Sequence, residues 1–362
     1  TSFQNGDVFT IDSTPPSITD IQTLENNISN GQINALLVTF SEDISDASIL
    51  TSHFSIDGGS IAITGLSTGI GGNDNQIILQ FSATWDTGDT PSLQYTGTSV
   101  EDLAGRKLQN TGLLSSTDGA TPRFVSLEAF DNNSNGRLET LQLRYSENLA
   151  ASTSLSGLTL NNPLTGMSLS SASISSDTVT LTLNESTAIN TDPSGITLST
   201  SSALYGDASG NTVENMSNQI MTDWASPILI SAQTLDSDAN AKADQVFLTF
   251  SENISGATLG AFSLSGLSTG TSTSSLASAD NTLTITLNET SSDNDTNNSF
   301  LLSYTPGAIQ DSSGNSLATI TNTPSTDSIG PKIISRTTGD SDGDGLIDTI
   351  DMVTSENLND DF

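Results

Sequence analysis

The sequence predicts an all-β protein, a tandem array of β-sandwich units of about 105 residues each, and three observations carry that expectation. An Asp four residues ahead of a Pro recurs as Asp12–Pro16, Asp118–Pro122, Asp223–Pro227 and Asp327–Pro331, so successive prolines lie 106, 105 and 104 residues apart. Self-similarity at a fixed period marks an array of like units. Apolar residues alternate with polar ones at period two, the pattern of half-buried strands. The chain is only 33% hydrophobic and contains 29 Gly and 10 Pro, a mix suited to short strands with many turns. A repeat of this length can bury its own core, whereas a solenoid turn of about 20–45 residues cannot.

Within each unit the elements follow in a fixed order. An acidic loop begins nine residues after three of the prolines: Asp131-Asn132-Asn133-Ser134-Asn135-Gly136, Asp236-Ser237-Asp238-Ala239-Asn240-Ala241 and Asp340-Ser341-Asp342-Gly343-Asp344-Gly345. A strand follows, as Leu36–Phe40, Leu141–Tyr145 and Val246–Phe250, each succeeded by Ser-Glu (Ser41-Glu42, Ser146-Glu147, Ser251-Glu252); the fourth copy ends Ser355-Glu356. Another strand recurs as Ile77–Phe81, Val179–Glu185 and Leu283–Glu289. A late turn reads Asp102-Leu103-Ala104-Gly105-Arg106, Asp207-Ala208-Ser209-Gly210-Asn211 and Asp311-Ser312-Ser313-Gly314-Asn315, and is expected to link the last two strands. No segment carries a helical stripe.

This register sets the expected organisation. Residues 12–117, 118–222 and 223–326 form three units, 1–11 reads as the last strand of a preceding one, and 327–362 as the start of a fourth. Incomplete sandwiches expose strand edges. The two terminal fragments are therefore expected to pair with copies of this chain or with adjoining repeats of a longer chain.

Charge narrows the partners. Eight basic against 42 acidic residues leave a net charge of −34, although only 14% of residues are charged. The imbalance comes from missing Lys and Arg. Nucleic acid is excluded as a partner for want of a basic patch, anionic membrane surfaces likewise, and cations are the natural counterpart. No stretch is apolar enough to insert in a membrane. Cysteine is absent, which removes disulfides and thiolate metal sites.

The acidic loops are candidate calcium sites. Ca²⁺ takes six to eight oxygen ligands, and alternate carboxylates in an extended loop can converge on one ion. The fourth copy supplies Asp340, Asp342, Asp344 and Asp348, the third Asp236, Asp238, Asn240 and Asp244, the second Asp131, Asn133, Asn135 and Glu139. The first is degraded to Glu25, Asn27, Asn30 and Asn34. Counting anionic ligands ranks the sites fourth, third, second, first. An EF-hand is rejected, because its twelfth loop position holds Asp351 in the fourth copy but Phe247 and Gln142 in the third and second, and no helices flank it. Glu147, Glu252 and Glu356 are expected to return as closing ligands if loop and strand form a hairpin. Asp118, Asp223 and Asp327 before the prolines, with Asp102, Asp207 and Asp311 of the late turns, flank the joints between units. They either help ligate ions there or serve as ordinary turn residues.

A Pro-led strand, an Asp-x-Asp-x-Asp-Gly-x-x-Asp loop, a Phe-Ser-Glu strand end and a late Asp-x-x-Gly-Asn turn together resemble the immunoglobulin-like repeats of bacterial and archaeal surface proteins, S-layer proteins and long adhesins among them. The resemblance implies immunoglobulin-like sandwiches, secretion to the cell surface, rigidity dependent on calcium, and a structural or adhesive role. Its calcium positions would fall on Asp236, Asp238, Asn240 and Asp244, and on Asp340, Asp342, Asp344 and Asp348.

Catalysis is not expected. His53 is the only histidine, and the acidic sets recur where a catalytic pair would be unique. Three roles compete: a calcium-stabilised surface layer or filament, the extender of an adhesin, and a carbohydrate-binding accessory region of an exported enzyme, with surface glycans as partners. The last requires an exposed aromatic platform, which the sequence does not reveal: Trp85 and Trp224 are its only tryptophans and occupy different places in their units.

Overall fold

The computed structural model describes residues 12–69, 71–201, 205–240, 242–266, 272–288 and 300–358. The expected strand at 1–11, Ala241 at the end of the third loop, and Glu289 lie outside the described residues. The protein is all-β, with no α-helix among the described residues and four single 3₁₀ turns.

Three sandwiches repeat one plan, seen in full in the second. Its larger sheet runs Ser168–Ser175, Thr178–Asn184, Thr140–Tyr145, Phe124–Phe130, all antiparallel, and is closed by Thr222–Asp223 pairing parallel to Glu128 and Ala129. The smaller sheet runs Leu158–Asn161, Thr197–Thr200, Gln219–Ile220. The third sandwich matches it strand for strand, with Thr326–Asp327 as the closing parallel segment. In the first, a single parallel bridge from Gln22 to Thr117 takes that place. Asp223 and Asp327 therefore finish the sheet of one unit before the chain enters the next.

Alternation decides which side chains go inside. In Thr140–Tyr145, Leu141, Leu143 and Tyr145 are buried while Gln142 and Arg144 face outward. Val246, Leu248 and Phe250 do the same in the third unit. Each such side chain contributes about 1.5–3 kcal/mol by leaving water. Three separate apolar clusters result, centred on Leu36, Val38, Leu79 and Tyr95, on Leu143, Val179, Leu181 and Leu198, and on Leu248, Ile285, Leu302 and Tyr304. Truncating one member, as in Leu143→Ala, would cost about 2–5 kcal/mol. The remaining segment forms a hairpin of Ile333–Gly339 with Thr349–Thr354.

Every first strand carries a register shift two residues after it begins, between Ile18 and Asp20, Phe124 and Ser126, Leu229 and Ser231, Ile333 and Ser335. A bulge at this point bends the strand as it leaves the Pro, so each unit enters its sheet in the same way.

Candidate metal centre at the joints

The short motifs repeated in the sequence build the joints. The Ser of each Ser-Glu pair holds the backbone just past the Pro: Oγ of Ser41, Ser146, Ser251 and Ser355 accepts the N–H of Ser17, Arg123, Ile228 and Lys332 at 3.0, 2.8, 2.9 and 2.9 Å. The Asp ahead of the Pro closes a turn on itself. Oδ1 of Asp118, Asp223 and Asp327 accepts the N–H two residues on at 3.1, 2.9 and 2.9 Å.

The late turn wraps its amides around its own Asp. Asp207 Oδ1 accepts the N–H groups of Ser209, Gly210 and Asn211 at 2.8, 2.7 and 2.9 Å, and Gly210 sits at φ +98°, a conformation that suits glycine. The Asn that ends the motif then ties turn to linker. Asn211 Nδ2 donates to Asp207 Oδ2 at 2.7 Å and to the Asp118 carbonyl at 3.3 Å; Asn315 Nδ2 donates to Asp311 Oδ2 at 2.8 Å and to the Asp223 carbonyl at 3.0 Å. In the first unit Arg106 stands in the Asn position and its guanidinium reaches the Asp12 carbonyl instead.

These bonds bring three carboxylates to one point, three times over. Asp12, Glu42 and Asp102, then Asp118, Glu147 and Asp207, then Asp223, Glu252 and Asp311, each offer one oxygen within 4.8 Å of the other two. Asp102, Glu147, Asp207, Asp223, Glu252 and Asp311 are buried. Among the described residues, no Lys or Arg forms an ion pair with any of the nine.

Crowded, unpaired carboxylates resist ionising. Burial, reinforced by the charges of Asp118 and Asp207, pushes Glu147 up to about 8 against an opposing bond from Thr87. Burial likewise lifts Glu252 to about 8, with Asp223, Asp311 and Asp192 adding to it, and lifts Asp223 to about 7. Asp207 goes the other way: burial would raise it, but the bonds it receives from Asn211, Asp118 and Gly210 together outweigh burial and hold it below the ordinary range. At the fourth joint Glu356 is raised by burial and then by the charge of Asp327.

Two oxygens of these sets have no hydrogen-bond partner: Asp102 Oδ2 and Glu147 Oε1, on residues only 2% and 7% exposed. Asp102 Oδ2 is orphaned because Arg106 replaces the Asn that satisfies the matching oxygen of Asp207 and Asp311. An unsatisfied buried acceptor costs about 1–3 kcal/mol, and more when charged. A site of convergent anionic oxygens with spare lone pairs and no basic partner fits a hard divalent cation such as Ca²⁺.

The preceding unit reaches into the second and third of these sites. Thr87 Oγ1 lies 2.5 Å from Ser146 Oγ; Thr191 Oγ1 lies 2.7 Å from Ser251 Oγ and donates to Glu252 Oε1 at 2.5 Å. Both threonines are fully buried. A cavity of about 560 Å³ at the first complete joint is lined by Asp86 and Asp89 of one unit and by Asp118, Glu147 and Asp207. Thr87, Thr191, Asp86, Asp89 and Asp192 escaped the sequence reading, as did the role of Glu42. The available signal was a Thr repeated at a spacing of 104 residues beside acidic neighbours.

Three of the acidic loops lie at the joints, on the preceding unit: Glu25 meets Arg123, Asp131 and Ser134 line a cleft with Trp224 and Ile228, and Asp236 meets Lys332. In the second unit Asp131 accepts the amides of Asn135 at 3.2 Å and Gly136 at 2.8 Å, and Glu139 accepts those of Asn132 and Asn133 at 2.8 and 3.1 Å. Asn133 Nδ2 and Asn135 Nδ2 donate to Glu185, a residue outside the expected set. Asp236, Asp238 and Asp244 converge in the third loop and Asp340, Asp342 and Asp344 in the fourth, while Asp348 accepts the amide of Ser341 at 2.9 Å. Asn240 bonds Asp238 and Asp236 through its backbone at 3.1 Å each.

Two placements differ from expectation. The hairpin forms, yet Glu147 and Glu252 do not return to the loop of their own unit. The six-residue strands Thr140–Tyr145 and Gln245–Phe250 separate loop from Glu, a span of roughly 20 Å. Each Glu instead joins the Asp before the Pro and the Asp of the late turn. The third loop also carries its own cation: Lys332 Nζ, just past the fourth Pro, pairs with Asp236 at 2.7 Å. Arg123 pairs with Glu25 of the first loop and with Glu214. At the middle joint the corresponding residue is Ile228, so the ranking by anionic ligands alone leaves out a tethered charge.

No protein-family model and no curated protein matches the chain. Among solved structures it is similar to the N-terminal part of the bacterial S-layer protein SbsC, at 14% identity over 56% of this chain and 45% of that one, with a TM-score of 0.25. It is also similar to domains 1–6 of surface layer protein SbsC, at 11% identity over 94% and 63% of the two chains, TM-score 0.24. An I-band fragment from titin matches at 12% identity over 84% and 96%, TM-score 0.23. The chain thus spans about half to two-thirds of the S-layer structures it resembles, and the functional reading rests on its own residues.

Proposed function

We propose that this chain is a structural rod of immunoglobulin-like units, with boundaries at 12–117, 118–222 and 223–326, whose joints are stapled by Ca²⁺ at the cell surface. The observation that carries this reading is the carboxylate triad that recurs at the joints, largely buried, with no Lys or Arg ion pair among the described residues and with an orphaned oxygen on Asp102 and on Glu147. The Asp before the Pro belongs to the linker, the Glu and the late-turn Asp to the following unit, and the buried Thr to the preceding one. A cation held there neutralises the repulsion and ties the three segments together, so the joint stops hinging. The acidic loops of the second, third and fourth copies add further, more exposed sites. An affinity of about 10⁻⁴–10⁻³ M, that of extracellular calcium modules, suffices for the role.

Calorimetric titration of the chelator-stripped chain with calcium tests it. Saturable binding of two or more ions with a raised melting temperature is expected. Absence of binding at millimolar calcium would return the triads to turn chemistry.

A further inference from the structure

The middle joint differs from its neighbours at two positions at once. The residue after the linker Asp is Gly119 at one joint and Ser328 at another but Trp224 here; the residue after the Pro is Arg123 or Lys332 elsewhere but Ile228 here. At the other joints the basic residue pairs with an acidic loop; at the middle joint, where Ile228 takes its place, a cleft of about 330 Å³ lies beside the loop. Its apolar wall is Trp224 and Ile228, and its polar side is Ser134, Thr319 and Thr321. Trp224 is 56% exposed, far more than a packing role needs. It has a firm base, since its backbone N–H donates to the Ala129 carbonyl at 3.0 Å and the neighbouring Ala225 is buried in the second core.

The cleft is poor in charge and rich in idle hydrogen-bonding groups. No Lys or Arg lines it, in a chain of net charge −34. Neither the Trp224 indole N–H nor the hydroxyls of Ser134, Thr319 and Thr321 have a hydrogen-bond partner among the described residues. A flat aromatic face beside several free hydroxyls matches a ligand with an apolar C–H face and a rim of hydroxyls. An anion would meet Asp131 at the cleft's edge, and a bulky apolar ligand would leave the hydroxyls unpaired. The volume lies at the lower end of the range for small-molecule sites, about 300 Å³.

We propose that the cleft between Trp224, Ile228 and the Thr319–Thr321 segment binds a neutral pyranose unit of a glycan, stacked on the Trp224 indole. Trp supplies large, rigid, amphipathic contact area with its N–H free to bond at the rim. This assignment does not draw on the triads, none of whose carboxylates lines the cleft, and it shares with the calcium reading only Asp131 of the second acidic loop. It also supplies the aromatic platform that the sequence alone does not reveal, since nothing in the order of residues tells that Trp224 stays outside.

Saturation-transfer NMR and calorimetry on the full chain, with maltotriose, cellotriose, mannotriose and chitotriose as probes and tetramethylammonium chloride as a cationic control, test the proposal. At least one trisaccharide is expected to bind saturably, with transfer to the ring protons of one face. Trp224→Ala should raise its Kd about tenfold or more and Trp224→Phe should restore part of the loss, with the melting temperature unchanged. Thr319→Ala with Thr321→Ala should weaken binding without abolishing stacking. Failure of all four saccharides at millimolar concentration, binding indifferent to Trp224→Ala, or binding of tetramethylammonium alone would overturn it.

Discussion

Glu252→Gln separates a cation site from a structural cluster of turns. Glu252 is buried, accepts a hydrogen bond from Thr191 at 2.5 Å, and sits with Asp223 and Asp311. Burial and those neighbours lift its pKa to about 8 from the ordinary 4.5. The sign follows directly. A raised carboxyl pKa means the folded state holds its proton more tightly, so the penalty is absent below about 4.5 and grows as pH rises towards about 8. At pH 7, taking up that proton costs folding about 1.4 kcal/mol per pH unit above the unfolded value, or about 3 kcal/mol. This is an upper figure, because Asp223 shares the same repulsion. Gln keeps the acceptor for Thr191 and removes the charge. In chelator at pH 7 the variant should therefore melt higher than the parent, by up to the order of 10 °C for the third unit, and the gain should shrink to nothing towards pH 4. In calcium the order should reverse, since the parent gains binding energy that the variant has lost. Differential scanning calorimetry in chelator and in calcium at both pH values reads all four melting points. A variant that melts lower in chelator and keeps the full calcium shift would refute the reasoning.

The same logic predicts that the calcium-free parent loses stability between about pH 4.5 and 8, and that saturating calcium flattens this slope; urea melts across that range check it. Arg123→Met should destabilise the first joint by about 2–4 kcal/mol in chelator, because it strands the nearly buried Glu25 side chain, with less loss in calcium; chemical denaturation measures both. Asn211→Ala should weaken calcium binding at the Asp118 site, by cutting the tie between late turn and linker, while leaving the Asp223 site unchanged in the same titration. Light scattering during calcium addition distinguishes the two forms of the rod: growth of large particles supports a layer or filament, and a stiffened monomer supports an adhesin extender.

The strands were legible because alternation survives in a single chain. Leu141, Leu143 and Tyr145 declare one face, and the structure buries that face. The repeated motifs were also legible as punctuation, and local chemistry explains them: Gly210 for its positive φ, the Asp before Pro for its turn, the Ser for the amide it holds. Their joint purpose was not legible. Asp118, Glu147 and Asp207 are 29 and 60 residues apart, and only a completed sandwich folds those distances to within 4.8 Å. Pairing Glu147 with its own loop failed for a related reason, since sequence distance says nothing about which end of a strand a side chain occupies.

Sequence alone therefore determined what is local and periodic: strand alternation, turn chemistry, the spacing of units, the excess of negative charge. Tertiary structure decided what depends on convergence and exposure. It gathered the linker Asp, the strand-end Glu and the late-turn Asp into one site, set Thr87 and Thr191 of one unit against the next, matched Lys332 and Arg123 to acidic loops, and left Trp224 uncovered where Ile228 offers no charge to pair with the loop. Side chains close in space share one electrostatic environment whatever their separation along the chain, and that separation is all a sequence records.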